Sequence, residues 1–423
     1  MEYSIQKEAK SLIFVALCLG WANPKAFAQQ HAHQRNLLPG GRAAALGGAY
    51  TALSDDPSGG YYNPAGISYA TRSETSVSSN AYRESKTTYS EAIDGEDFVE
   101  TSNAIYPSFL GAIYKWRSLT GGWSYMTLDA RNINQNHRFE DISSIEDEAS
   151  SYSRTHQEVN NYIHAGASAA WLVTKNISLG GSLFYYRREI QSTNHQMTQF
   201  NGGSLLVLDF KYNTVNEGFV PVGGATWRGD HFSVGISGRV PTAYTNNTKY
   251  TSDRIFVSKP DEDGIVTPTV TGREGSATSL DEPNPNSAQI GMAWFPGRWL
   301  LLSADVIFHG PVEAGKSGND LHATTNYSLG AEINLPYISV RCGSFTNNSM
   351  YREPDGDRTD QPTWINMKGT TAGLALVQKD REGILTVVQQ KGDGKAQIIS
   401  GSTAVQKVRS TSTTWMITGT VFF

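Results

Sequence analysis

Phe232-Ser233-Val234-Gly235-Ile236-Ser237-Gly238-Arg239-Val240 alternates apolar with small or polar residues, one by one. Successive side chains of an extended strand point to opposite faces, so this stretch reads as a strand with two unlike faces. Tyr327, Leu329, Ala331, Ile333 and Leu335 oppose Asn326, Ser328, Gly330, Glu332 and Asn334 in the same way, and Ile177, Leu179, Gly181, Leu183 and Tyr185 oppose Asn176, Ser178, Gly180 and Ser182. The stretches 159–171, 288–294, 300–308 and 415–423 repeat the pattern. Alternation alone also suits a soluble sandwich. Strands near ten residues, with short turns on one side and long polar connections on the other, point to a transmembrane antiparallel β-barrel.

Short turns are expected near 117–120, 173–175, 228–230, 296–298, 335–337 and 379–383. Between them lie polar stretches rich in Asn, Asp, Ser, Thr and Gly at 83–106, 131–157, 191–217, 243–286, 310–325, 346–369 and 391–412, read as loops. The two kinds of connection take turns along the chain and predict about 14 strands, with 203–213 and 396–409 as strand-like extensions of the outer loops. An even count puts both barrel ends on the short-turn side. Trp116, Trp123, Trp171, Trp227, Trp294 and Trp299 each fall close to a proposed short turn, where their amphipathic rings would form an interfacial girdle. The last residues, Trp415-Met416-Ile417-Thr418-Gly419-Thr420-Val421-Phe422-Phe423, resemble the aromatic-terminated strand read by barrel-insertion machinery, with Phe423 as its signal.

Residues 1–28 read as a signal peptide. Lys7 and Lys10 precede the apolar run Ser11–Trp21, too short to span a bilayer as a helix, and Ala26-Phe27-Ala28 supplies a cleavage site. Removing three lysines and two glutamates takes the net charge from −5 to −6, which argues against nucleic acid as a partner. Only Cys342 then remains, so no intrachain disulfide is expected.

Residues 29–70 do not alternate. They are dense in Gly, Ala and turn residues, a composition suited to a compact plug in the lumen, ahead of a barrel over 71–423. Within them, Pro39-Gly40-Gly41-Arg42-Ala43, Gly47-Gly48-Ala49-Tyr50, Asp55-Asp56 and Asn63-Pro64-Ala65 follow the order of the N-terminal hatch of FadL-like outer-membrane transport proteins, channels for long-chain fatty acids or aromatic hydrocarbons. Gly223–Pro241, Ser287–Phe308 and Leu329–Gly343 resemble later strands of that family more weakly. The loops resemble nothing identifiable.

The resemblance implies a passive, cofactor-free channel in the outer membrane of a Gram-negative bacterium, in contact with its lipid, and not an enzyme. Hydrophobic molecules would be captured by apolar loop surface and pass a hatch-gated lumen. They would leave past the hatch or through a lateral opening made by an inward kink of the third strand. Gly121-Gly122 could relieve pairing there, or simply end a turn. Leu37 and Leu38 are candidates for the part that occupies the pocket. Phe200, Leu206, Leu208 and Phe210, with neighbouring Leu205 and Val207, are the best apolar surface for substrate in the outer loops. Asp55 and Asp56 either pair with lumenal arginines such as Arg188, Arg239 or Arg341, or cap a turn. Asn63 and Pro64 are expected to hold a turn rather than a ligand. Because loops 131–157 and 243–286 are polar, a second function stands beside transport: a barrel of the same kind whose long loops serve a structural or adhesin-like surface role.

Other signals weigh less. Asn160, His164 and Ser168 share a polar face but have no partner carboxylate to form a nucleophile. Arg228-Gly229-Asp230 mimics an adhesion motif but sits on a proposed periplasmic turn, so chance is the better account of it. Asp355–Asp360 is read as a solvated loop rather than a calcium site. A terminal Gln29-Gln30-His31 could hold Cu(II) or Ni(II) but is not assigned that role, and no metal is expected.

Overall fold

The computed structural model describes residues 33–93, 95–142, 149–259, 266, 268–279, 284–313, 320–359, 361–398 and 403–423. The proposed signal peptide, Gln29-Gln30-His31 and Asp360 lie outside the described residues.

A single antiparallel sheet carries the chain. Its segments are β1 Glu74–Ile93, β2 Glu96–Tyr106, β3 Phe109–Trp116, β4 Leu119–Ile142, β5 Ala149–Leu172 and β6 Ile177–Phe200. Next come β7 Leu205–Arg228, β8 Phe232–Arg239, β9 Thr242–Val257, β10 Pro268–Ser279, β11 Ser287–Gly297 and β12 Leu300–His309. The last five are β13 Thr324–Asn334, β14 Ile338–Asn347, β15 Trp364–Val377, β16 Arg381–Ala396 and β17 Gln406–Phe422. β1 pairs with β17 from Glu74–Phe422 to Ser90–Lys407, which closes the sheet. Each of the pairs β2 with β3, β8 with β9 and β10 with β11 is one strand interrupted, so the barrel has 14 strands.

The alternation is turned inside out relative to a soluble protein. Phe232, Val234 and Ile236 point outward, Ile236 with 51% of its surface exposed, while Ser233 and Ser237 are buried inside. An apolar exterior over a polar interior is stable only in hydrocarbon, and a closed ladder is what lets backbone amides exist there. All six tryptophans at the short-turn rim face outward, Trp116 at 70% exposure. Tyr82, Phe219, Tyr244, Tyr327 and Trp415 form a second outward aromatic belt about one membrane thickness above them.

Above that belt the structure departs from the sequence expectation. Most of 83–106, 131–157, 191–217 and 243–279 is strand rather than loop. β4 to β7 each run 24 residues, roughly 80 Å at about 3.3 Å per residue. A bilayer needs about ten. These stretches are polar because water lies beyond the membrane, not because the backbone is irregular, and their Thr, Tyr and Val residues still favour pairing. On the opposite side the wall is low, with β12, β13 and β14 only 10 or 11 residues long.

Residues 33–70 fold inside the lower barrel. They form α1 Gly41–Ala45, α2 Gly59–Tyr62 and a 3-10 turn Pro64–Tyr69. Tyr50, Leu53, Leu46 and Tyr62 pack with wall residues Ala293 and Leu301. Around this segment the wall presents glycine. A Cβ on Gly330 would stand 2.8 Å from the Leu46 carbonyl oxygen, and Gly47, at φ +65°, lies where a Cβ would meet the Ser344 backbone nitrogen at 3.0 Å. Close backbone-to-wall approach is why small residues are needed at these places. Gly330→Leu should therefore overpack the contact by about 1–3 kcal/mol. The expected outcome is a lowered unfolding temperature and protease access to 33–70 in the purified protein, whereas Leu329→Ala on the lipid face should leave that access unchanged.

Candidate functional site

Three features of the lumen bear on function: an ionic anchor at the short-turn rim, a turn locked to the wall, and a break in the wall beside Leu37 and Leu38.

The anchor is built around Arg42 and Asp55. Arg42 Nε lies 2.8 Å from Glu332 Oε2, and its Nη1 lies 2.8 Å from Asp55 Oδ1. Arg228 reaches the other Asp55 oxygen at 3.3 Å, donates to the Leu53 carbonyl, and covers the Tyr69 ring at 4.5 Å. Arg341 holds Glu332 at 2.9 Å and Glu382 at 2.7 Å. Burial pushes the Asp55 carboxyl up, but Arg42 and Arg228 outweigh it and hold the group below its ordinary range. Burial likewise opposes the Arg42 charge, and Glu332 and Asp55 more than restore it.

The two aspartates therefore divide the roles expected of them. Asp55 pairs with arginines, but with Arg42 and Arg228 in place of Arg188, Arg239 or Arg341. Asp56 caps a turn, accepting from Ser58 N at 2.8 Å and Ser58 Oγ at 2.6 Å. Arg188 instead faces Asp129 at 3.7 Å, and Arg239 donates to the Tyr61 carbonyl and lies over the Tyr61 ring. In the sequence Arg228 stands only as part of a chance tripeptide. Its position at the end of a strand, facing in, makes it an anchor.

The remaining motifs fix the segment by hydrogen bonds to the wall. Asn63 Nδ2 donates to Thr51 O, Ala225 O and Thr226 Oγ1, while its Oδ1 accepts from Ala65 N, so Asn63 both caps the 3-10 turn and docks it. Pro64 opens that turn, where a missing N–H costs nothing. Ala65 O accepts from Ser178 Oγ at 2.8 Å. Tyr50 N, Thr51 N and Thr51 Oγ1 all donate to Asp305 Oδ2. Gly40, at φ +84°, precedes α1, the Gly41 carbonyl accepts from Thr386 Oγ1 at 3.2 Å, and Gly48 lies against the Arg35 guanidinium.

The wall break lies between β2–β3 and β4. β3 pairs with β4 only from Trp116–Leu119 to Phe109–Met126, and β2 meets β4 at the single position Ser102–Ile133. Between them, 103–106 and 128–131 form no ladder with each other. Three adjacent strands shift register at this level: β1 between Ser79 and Tyr82, the second strand at Pro107-Ser108, and β4 between Thr127 and Asp129. Below the break Ser124, Met126, Phe109 and Ile113 face the lumen; above it Asp129, Arg131 and Tyr106 do, so the inward parity switches. Residues 126–130 are consequently buried in succession, and the extra residue at the register shift bends β4 there. Gly121 and Gly122 are not at this bend. They pair in register with both neighbours, six or more residues below it.

Leu37 and Leu38 close the break from inside. They pack with Tyr106, Ala130, Val388 and Met416, with Ala104 against the cluster. The other apolar candidates stand elsewhere. Leu206 and Phe210 are buried on the inner face of β7 high above the membrane, Leu208 is half-buried between them, and Phe200 packs against an apolar cluster at the hairpin tips. Asn160 donates to Asp129, His164 bonds Tyr162, and Ser168 bonds Ser182, so those three serve separate contacts. Asp355 bonds Gln361, and among the described residues no three His, Cys, Asp or Glu converge as metal ligands.

No protein-family model matches the chain, and no curated protein matches it in sequence. Its fold is found among solved structures. A Pseudomonas aeruginosa FadL homologue superposes with a TM-score of 0.62 at 11% identity, over 93% of this chain and 100% of that one. The toluene transporter TodX of P. putida gives 0.62 at 12% identity, over 92% and 99%. The toluene transporter TbuX of Ralstonia pickettii gives 0.58 at 13% identity, over 92% and 99%. The chain has the fold of the FadL-like transport barrels.

Proposed function

We propose that this chain is an outer-membrane channel for passive entry of small hydrophobic molecules, and that they leave its lumen sideways through the break between β2–β3 and β4. The observation that carries this reading is the unpaired stretch of wall stoppered by Leu37 and Leu38. A water-filled pore has no use for an apolar stopper at a wall gap. A hydrophobic solute does, because passage from an apolar pocket into lipid avoids water altogether. The transport named for TodX and TbuX supports the same class of cargo, and does not separate fatty acids from aromatic hydrocarbons.

Residues 33–70 act as a hatch in this account. The Arg42–Asp55–Glu332 network and Asn63 hold its body to the wall, so that the movable part is the short lead ending in Leu37-Leu38. Gly40, at positive φ, is the joint between the two. The tall polar wall of β4 to β7 favours one second reading, a surface role for the outer extensions with the barrel as their base. The apolar seal at Leu37-Leu38 would then be unnecessary to activity.

Uptake of labelled toluene and oleate by a Gram-negative host lacking its own channel of this type should rise when this chain is inserted. Leu37→Ala with Leu38→Ala should raise uptake or leak further, severalfold, since about 2–3 kcal/mol of apolar contact is lost per truncated leucine. No rise for either solute, with the barrel inserted, would transfer the function to the outer extensions. The anchor carries a pH signature. Asp55's folded value is depressed, so its contribution is complete above its unfolded pKa, about 4, and is lost as pH falls through the folded value. In planar bilayers the channel should be quiet at pH 7 and open as pH drops below about 4, and Arg42→Ala, breaking a buried pair worth roughly 3 kcal/mol, should open it at pH 7.

A further inference from the structure

The outward faces of β15, β16 and β1 carry lysines where the wall leaves the membrane. In-register pairing sets Thr346 opposite Lys368, Lys368 opposite Lys391, Lys391 opposite Thr411 and Thr411 opposite Lys86. Directly opposed side chains share a face, and Lys86, Lys368 and Lys391 are all exposed. The upper aromatic belt gives the height of this row. Lys86 lies four residues beyond Tyr82, and Thr411 four residues above Trp415, about 13 Å along the strand at about 3.3 Å per residue. At the other end of the row, Thr346 Oγ1 accepts from Tyr327 N, in the belt itself, at 2.9 Å. The three lysines therefore stand at and just above the belt, in the layer of lipid headgroups.

Like charges set directly opposite each other on adjacent strands destabilise a sheet, so Lys368 and Lys391 side by side call for an anion. The wall around them does not supply it. Asp393, two residues above Lys391, is held by Arg409 at 2.8 Å, and Glu353 is held by Lys395 at 2.7 Å. Among the described residues, Lys86, Lys368 and Lys391 form no ion pair, which leaves Glu84, two residues below Lys86, against three lysines. The tall wall differs, since Arg187 there pairs with Glu189 at 3.0 Å and Glu217 at 2.7 Å. Below Lys368 the lipid face is also hollow. Ala304, Ala331, Cys342 and Ser344 sit low beside Met292 and Leu329 and form an apolar groove. Ser344 is opposite Thr370, two residues below the pair of Thr346 and Lys368, so the groove runs up to the lysine row.

We propose that this face binds a phosphorylated membrane lipid, with one phosphate on Lys368 and Lys391, a second toward Lys86, and an acyl chain in the groove. Opposed residues on neighbouring strands have Cβ atoms about 5 Å apart, so two exposed ammonium groups can close on one phosphate. Lys86 is three strands from Lys368, about 14 Å at about 4.8 Å per strand, which suits a second phosphate on the same headgroup. Lysine meets phosphate as a flexible point charge and needs no fixed fork geometry. Basic residues at a membrane surface attract anionic lipid in general. Here the register gathers them, and the groove beneath gives the chain a place that a soluble anion would not use. The inference goes beyond the transport reading, because it concerns the outside of the wall whatever crosses the lumen.

The test is equilibrium binding to the full chain in neutral detergent, followed by native mass spectrometry. The probes are diphosphoryl lipid A, monophosphoryl lipid A and lipid A with both phosphates removed. The diphosphoryl form is expected to bind tightest, the monophosphoryl form at least threefold weaker and the phosphate-free form at least tenfold weaker. Lys368→Gln with Lys391→Gln should weaken diphosphoryl lipid A at least tenfold, and Cys342→Leu, which fills the groove, should weaken all three lipids. Lys249→Gln, an exposed lysine on β9, should change nothing. Equal binding of the phosphate-free lipid overturns the inference, as does unchanged affinity in the double lysine variant. Displacement of lipid by an equal concentration of inorganic phosphate would assign the lysines to free phosphate and overturn it too. The comparison of three lipids on the unaltered chain needs no variant, so a variant that fails to fold does not rescue the claim. Toluene uptake, measured separately in cells, reports on the transport reading alone.

Discussion

Backbone pairing in a medium without water is the constraint from which the rest of this structure follows. In hydrocarbon every exposed N–H and C=O must find a protein partner, so the sheet must close, and β1 meets β17 to close it. Closure with 14 strands leaves a lumen too wide for wall side chains to fill. The wall faces inward with Ser, Thr, Asp and Arg, so the filling must bind chiefly by hydrogen bonds and ion pairs. Residues 33–70 meet that demand with Asn63, Thr51, Asp55 and Arg42, and the wall answers with Ser178, Thr226, Asp305 and Glu332. Glycines at the points of contact let the two backbones approach.

Against this constraint a wall with a gap stands out. Three neighbouring strands shift register at one height, and the gap they leave is covered by apolar side chains from the lumenal segment. An unpaired stretch in a membrane barrel carries a free-energy cost, which makes it a functional candidate in the way that strain elsewhere is. The lumen above is lined by Arg83, Arg131, Arg154, Glu100 and Glu158, and the gap below is apolar. A solute descending through this molecule would meet two different chemistries in sequence.

Much of this was legible in the sequence. Alternation such as Phe232–Val240 identified strands, and their apolar sides proved to face outward. The Trp residues near short turns proved to be a girdle, and Asn63-Pro64-Ala65 proved to hold a turn. What escaped was governed by register. Paired glycines at Gly121-Gly122 are a visible cue for a kink, yet glycine alone does not break a ladder. The break instead shows as a parity change: Ser124 and Met126 face in on even numbers, Asp129 and Arg131 on odd ones. The outer extensions escaped because polarity was equated with irregular loop. Arg228 escaped because a pairing 173 residues distant in sequence leaves no local trace.

The central claim, that solute leaves through the gap beside Leu37 and Leu38, is most directly tested by fastening the gap shut. Ala104→Cys and Ala130→Cys, placed in a Cys342→Ser background, would put a thiol on each side of the unpaired stretch. With the pair cross-linked by a short bifunctional reagent, the account predicts that toluene uptake falls to the level of cells lacking the protein, while each single-cysteine variant treated alike keeps its uptake. Undiminished uptake through a barrel shown to be cross-linked would contradict it and send the solute past the anchored segment instead.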